Sequence, residues 1–388
     1  MKRINIKAMK NIFALIIGVL LLISAQAQNK YAEKSANIEH TYKSMEVYPV
    51  KTIKPTKGKK VRNVILMIAD GMGISHFSAA WIANKGQLNI DNCMYTGLVK
   101  TFAANKLITD SGAAGSAMAT GKKGNYHSIS VDSNNNSLNS LTDLAKNRGL
   151  STGIVVTCGL TDATRATFCA NNTERDNEED LAADFTSCEV DFLFGGGRNK
   201  FHNRADNRNI LTEMEAKGYT VCNTLDETIA SQDNKILAIL EEGQLPLADE
   251  RGDLFQKATG KVLELLSKNK NGFFAMIEGS RIDDCGHWND LPKLVKEIGD
   301  FDRTVGHVLQ WAEKDGKTLV VILSDHETGG LSITGGEISN GEVTGRFANK
   351  EHSGILVPVY TYGPQSHQFT GIIDNTDIFR KIKSILNL

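Results

Sequence analysis

The sequence is short of several things that would narrow its class at once. Proline is scarce, at 6 of 388 residues, and no stretch is repetitive or low in complexity, which excludes a collagen-like or extended disordered chain. Neither charge dominates, with 44 Lys and Arg against 45 Asp and Glu and a net charge of −1, so nothing electrostatic favours nucleic acid or an anionic membrane as partner. The 6 cysteines contain no C-x-x-C pair and hence no cysteine-based metal frame. After residue 23 there is no apolar run of membrane-spanning length. Gly195-Gly-Gly-Arg198 lacks both the Lys-Ser/Thr of a P-loop and the spaced glycines of a dinucleotide fingerprint, and is weak as a phosphate loop.

What is present is an ordinary globular composition, 41 % hydrophobic and 23 % charged, enough for a sizeable core. Residues 1–27 stand apart. Lys2, Arg3, Lys7 and Lys10 precede an apolar run, Ile12 to Ile23, and Ala25-Gln26-Ala27 comes next. A basic flank, a short apolar stretch and a small-x-small site read as a secretory signal cut after Ala27, with a retained anchor as the alternative. Cleavage removes four basic and no acidic side chains and takes the net charge to −5. The expected product is an exported chain, periplasmic or secreted and free of the membrane. Residues 28–60, polar and Lys-rich, read as an arm or linker, and 61–388 as a single domain.

From Val61 onward, β-branched apolar runs alternate with polar or Gly-rich turns and helical stretches, the rhythm of an α/β fold with a mainly parallel central sheet between helices. Strands are predicted at 61–69, 152–157, 191–194, 273–277, 318–323 and 355–360, and their continuous hydrophobicity suits cover on both faces. Helices are predicted at 111–119, built of small residues able to pack close to the sheet, and at 291–312, an amphipathic core helix. Residues 198–268 read as an excursion from this rhythm.

The chemistry lies at the carboxyl ends of the strands. Asp70, Glu278 and Asp325-His326 each end an apolar run, and Asp162 and Thr164 come after a fourth. One carboxylate after a strand is ordinary turn chemistry, but four such segments at the carboxyl edge of a parallel sheet converge, and with histidine they point to a polynuclear metal site. Asp283, His287, Asp325, His326 and His352 are mixed N/O donors suited to zinc; Asp70, Thr164 and Glu278 offer only oxygen, which suits magnesium. His40, His76, His127, His202, His307 and His367 read as ordinary core or surface histidines.

Ser111 opens the small-residue helix, where free N–H groups and the helix dipole favour phosphate and an alkoxide; the plain alternative is an N-cap serine. Arg175 is either a fork for phosphate oxygens or a solvated loop charge. Cys169 and Cys188 bracket it and are either a disulfide or two free thiols. Cys285 lies between Asp283 and His287.

With these residues in place the sequence resembles the alkaline phosphatases. Asp-Gly-Met-Gly at 70–73, Thr-Asp-Ser-Gly-Ala-Ala-Gly-Ser-Ala-Met-Ala-Thr-Gly at 109–121, Asp-Ala-Thr at 162–164, Gly-Gly-Gly-Arg at 195–198, Glu-Gly-Ser-Arg-Ile-Asp at 278–283 and Glu-His-Ser-Gly at 351–354 occur in the family's order. The resemblance implies a phosphomonoesterase in which Ser111 is the nucleophile and becomes phosphorylated and Arg175 clamps the phosphate. It implies one Zn2+ on Asp283, His287 and His352, a second on Asp70, Asp325 and His326, and Mg2+ on Asp70, Thr164 and Glu278 with Asp162 reaching the magnesium waters. It also implies small phosphate monoesters as substrates and a homodimer. The short stretch between His326 and His352 leaves room only for a small crown-type insertion. One departure stands out: Asp284 succeeds Asp283, where many members carry Lys, His or Trp, and a further acid beside the phosphate weakens its binding. A phosphodiesterase on the same scaffold and a secreted non-catalytic metal or phosphate binder are the competing readings. A sulfatase is disfavoured, since the frame after Ser111 has neither Pro nor Arg.

Overall fold

The computed structural model describes residues 38–388 apart from Met45, Lys57 and Lys59, so the expected leader at 1–27 lies outside the described residues. In chain order the strands are β1 (Glu39–Lys43), β2 (Asn63–Ala69), β3 (Tyr95–Lys100), β4 (Ser151–Gly159) and β5 (Phe192–Gly196). They continue with β6 (Thr220–Cys222), β7 (Ile236–Ile239), β8 (Phe273–Gly279), β9 (Thr318–Leu323) and β10 (Glu327–Thr328). The last five are β11 (Leu331–Glu337), β12 (Glu342–Phe347), β13 (His352–Ser353), β14 (Val357–Tyr362) and β15 (Gly371–Asp374). One 10-stranded sheet runs β15-β3-β14-β9-β2-β8-β4-β5-β7-β6. Every pairing in it is parallel except those of β14, which runs against both β3 and β9.

The central strands are apolar on every residue because both faces are covered, and alternate side chains sort into two cores. Ile65, Met67, Phe273, Ala275, Ile277, Val320 and Ile322 face the helices Ile74–Ala83, Leu254–Leu266 and Leu291–Asp315. Val64, Leu66, Phe274, Met276, Leu319 and Val321 face the other side, with the helix Asn375–Leu386. The long helix begins where Asp290 caps the Lys293 N–H and ends at Asp315, three residues beyond the expected Ala312, with Gly316 after it in the left-handed conformation (φ 67°).

Residues 198–268 are not an excursion. They add β6 and β7 to the same sheet, and these strands escape notice because they are only 3 and 4 residues long. The strand expected at 355–360 is observed as β14 at Val357–Tyr362, and β15, not among the expected strands, comes after it and pairs with β3. The short segment between His326 and His352 forms the hairpin β11–β12, and β1 pairs antiparallel with β12, Thr41 opposite Thr344, so part of the expected arm is the third strand of that small sheet.

Candidate active site and metal centre

Four parallel strands set the floor of the site. The registers place Ile68 beside both Glu278 and Leu323, and Val156 beside Glu278, so Asp70, Glu278, Asp325 and the residues after β4 emerge at one edge. His352 reaches the same edge from the opposite direction because β14 is reversed. Its amino end, preceded by β13, lies where the parallel strands have their carboxyl ends, and β13 pairs with β10, Thr328 opposite His352. Gly71 makes the approach possible: at φ 76° a Cβ there would sit 2.8 Å from Asp283 Oδ1 and 2.9 Å from Thr328 Oγ1.

Two clusters result. Asp283, His287 and His352 bring one ligand atom each within 4.8 Å of one another, and Asp70, Asp325 and His326 do the same. His287 Nδ1 lies 2.5 Å from the Lys350 carbonyl and His352 Nδ1 2.9 Å from the Thr109 carbonyl. A carbonyl can only accept, so each ring carries a proton on Nδ1 and turns Nε2 inward, the nitrogen that is left to bind a metal when the ring is neutral. His352 Nε2 is 3.2 Å from His287 Nε2, and the His326 and His352 rings stack at 3.6 Å, joining the clusters. Asp70 Oδ1 is buried with no hydrogen-bond partner, a carboxylate oxygen left for a cation.

Ser111 opens the helix Ser111–Thr120, but it is not the cap. That position belongs to Asp110, which accepts from Gly112 N–H at 3.1 Å and Ala113 N–H at 3.2 Å, leaving the Ser111 hydroxyl free of capping duty. Ser111 Oγ lies 3.1 Å from His326 Nε2, at the lip of the second cluster. The same Asp110 carboxylate binds Arg175 Nη1 at 3.0 Å, so the guanidinium is no solvated loop charge. Ser111 and Arg175 line one polar cavity of about 120 Å³ with Asp70, Thr164, Asp283 and Asp284. The small-residue helix packs chiefly on the Ala163–Ala166 turn and the helix Asn375–Leu386 instead of the sheet; a Cβ on Gly115 would meet Thr164 Cα at 3.2 Å.

A family model described as alkaline phosphatase matches residues 61–346. The chain belongs to the alkaline phosphatase family. Alkaline phosphatase 4 of Bacillus subtilis is 31 % identical over 84 % of this chain and 89 % of its own length. The alkaline phosphatase of the Antarctic bacterium TAB5 superposes with a TM-score of 0.81 at 34 % identity, over 85 % of this chain and 99 % of that one. A mutant of the TAB5 enzyme holds Mg in its M3 site. More distant is the streptomycin-6-phosphate phosphatase of Streptomyces griseus, 27 % identical over 84 % of this chain and 91 % of its own length.

This phosphatase is thus a metal-dependent α/β enzyme, and its electrostatics suit that role. Burial, then Asp325 and Asp283, push the Asp70 carboxyl well above the usual range, and burial with Asp283 pushes Asp325 up to about 6. Burial also raises Glu278 and holds the His326 imidazole well below its ordinary value. Burial opposes a charge on His287, but the Asp283 carboxylate outweighs it and lifts the imidazole to about 9. Burial and mutual repulsion thus make the charged form of Asp70, Asp325 and Glu278 costly, a cost that bound dications would offset.

Several neighbours escape sequence reasoning. Arg165, buried in the Ala163–Ala166 turn, pairs with Asp162 at 2.5 Å and Glu278 at 3.3 Å. Gln244 donates to Asp162 at 2.7 Å and accepts from Gly159 N–H at 2.8 Å. Asp284 is covered by an ion pair with Arg281, whose guanidinium also donates to the Leu245 carbonyl, so its charge is matched within its own helix. His127 meets Glu174 and Asp176 beside Arg175. The Gly195–Arg198 loop spends its N–H groups on the Gly243 and Glu241 carbonyls and is a structural brace. Cys169 and Cys188 form a disulfide, and Cys285 is buried in the core. Among the described residues no helix is long and apolar enough to cross a membrane.

Proposed function

We propose that this phosphatase is exported and hydrolyses small phosphate monoesters through a phosphorylated Ser111, with Asp283, His287 and His352 holding one zinc ion and Asp70, Asp325 and His326 a second. The observation that carries the reading is the free Ser111 hydroxyl 3.1 Å from His326 Nε2, beside two mixed N/O clusters and Arg175. Zinc bound in the two clusters supplies Lewis acidity to the attacking and leaving oxygens.

The remaining work falls to the chain. Asp110 caps the helix, so the Ser111 oxygen attacks phosphorus from the positive end of a helix whose N–H groups are already aligned. Arg175, anchored by one nitrogen on Asp110, turns its remaining N–H donors on two phosphate oxygens. A monoester offers that second charged oxygen and a diester does not, which favours the monoesterase over the phosphodiesterase. The Lys350 and Thr109 carbonyls hold the two imidazoles in the ligand tautomer through both transfers.

Incubating zinc-loaded protein with 32P-labelled monoester, quenching in acid and mapping the label tests the assignment. Label on the peptide containing Ser111, together with a far higher rate on p-nitrophenyl phosphate than on its bis ester, is expected. Label elsewhere, or a preference for the diester, overturns it. Export is read separately: a mature chain beginning at Gln28 outside the cytoplasm supports it.

A further inference from the structure

The hard-donor set that the sequence assigned to magnesium, Asp70, Thr164 and Glu278 with Asp162 behind it, already has a cation against it. The Arg165 side chain is 2 % exposed, its Nη2 lies 2.5 Å from Asp162 Oδ2, and its Nη1 lies 3.3 Å and 3.5 Å from the two Glu278 oxygens. These are the acid that would hold the magnesium waters and the carboxylate that would bind the ion. Magnesium demands near-ideal octahedral geometry and keeps several waters, which a buried planar guanidinium spanning the same two carboxylates displaces. Gln244 Nε2 donates at 2.7 Å to the same Asp162 Oδ2 that Arg165 Nη2 meets, fixing the carboxylate that Arg165 links to Glu278.

We propose that the Arg165 guanidinium is the third cation of this centre, standing in place of magnesium, so that the enzyme works with zinc in its two mixed clusters and no divalent ion beside Thr164. Charge supports it. Asp70, Asp162, Glu278, Asp283 and Asp325 carry five negative charges, which two zinc ions and one guanidinium balance. Arg165 comes from the residue directly after Thr164, so the same short helix that presents the hydroxyl delivers the cation. It touches no reacting atom: it is a positioning residue that fixes Glu278 and Asp162, while Thr164 Oγ1, 3.4 Å from Asp70 Oδ2, steadies the carboxylate shared with the zinc cluster.

The inference rests on the two-zinc phosphatase reading, and one preparation separates the two. Purified enzyme equilibrated with millimolar zinc and magnesium, desalted and analysed for metal, is expected to hold about two zinc ions per chain with magnesium far below one. Protein stripped with EDTA and reloaded with zinc alone is expected to recover its full rate, and magnesium to change rate and melting temperature by less than about twofold and about 1 °C. Arg165→Ala is expected to take up magnesium and to depend on it for rate; Arg165→Lys, which keeps a cation, is expected to stay independent of it. One magnesium per chain in the wild type overturns the inference whatever the variants do, as does an Arg165→Ala enzyme that folds, takes up no magnesium and keeps its rate. If Arg165→Ala does not fold, the wild-type metal count decides. Absence of zinc, or of monoester hydrolysis, sinks the phosphatase reading instead.

Discussion

Arg175 lies 3.0 Å from Asp110, the residue whose carboxylate also caps the helix beginning at Ser111. One side chain therefore ties the phosphate fork to the nucleophile's helix, and burial, opposed by the guanidinium and by the His127 and Ala113 N–H groups, leaves that carboxyl below its ordinary value. Arg175→Ala is expected to cost roughly 10²–10³-fold in kcat/KM by removing two charge-assisted contacts. Asp110→Ala should cost about 1 kcal/mol of stability from the lost cap and raise KM by releasing Arg175. A normal KM in Asp110→Ala would show that the fork is held by something else.

Ser111→Ala removes the hydroxyl without touching the cap. We expect a fall in kcat on the order of 10³-fold or more, loss of the labelled phosphoenzyme, and zinc content unchanged, because Ser111 belongs to neither ligand cluster. A large loss of zinc in this variant would place the serine among the ligands.

The buried carboxyls set two opposed pH trends. Asp325 is pushed up to about 6, and Asp70 and Glu278 are raised with it. In metal-free protein the folded state keeps protons that the unfolded chain has already released, so their contribution to stability is complete at acid pH and is lost as pH rises through about 6. His287, lifted to about 9, acts in the same sense: its contribution is lost as pH rises through about 9. Zinc competes for the same oxygens, so the loaded enzyme should release metal as pH falls through about 6. Melting curves of stripped and zinc-loaded protein across this range are therefore expected to slope in opposite directions. Parallel slopes would contradict the assignment.

The Cys169–Cys188 disulfide closes a 19-residue span that contains Arg175. Replacing both cysteines with serine is expected to cost about 3 kcal/mol by freeing the unfolded chain, and to raise KM more than it lowers kcat, since the fork loosens while the nucleophile stays. Thermal melts with steady-state kinetics check both halves.

Legibility tracked local signal. The central strands could be read because two-faced burial leaves an unbroken apolar run, as in Leu319–Leu323. β3 could not: Tyr95, Thr96 and Lys100 are exposed, and Gly97 breaks the pattern. The reversal of β14 has no signature in its own residues, because strand direction is set by what the chain pairs with, yet it explains how His352 reaches the site. The ligand groups were legible as acids and imidazoles at strand ends. Asp110 was overlooked because the serine beside it is an equally good cap by type. Arg165 and Gln244 lie in a 4-residue helix and a loop, where no periodicity marks a buried charge or a bridging amide.

The small ribbon of β10 and β13 decides whether the first cluster is complete. Asp70, Asp283, His287, Asp325 and His326 all precede residue 352 in the chain, and the Asp283–His287 pair has its third partner only because His352 is laid against Thr328. The centre therefore depends on a ribbon that joins distant parts of the sequence, and a chain cut before residue 352 is expected to lack the third ligand of that cluster and to leave it open.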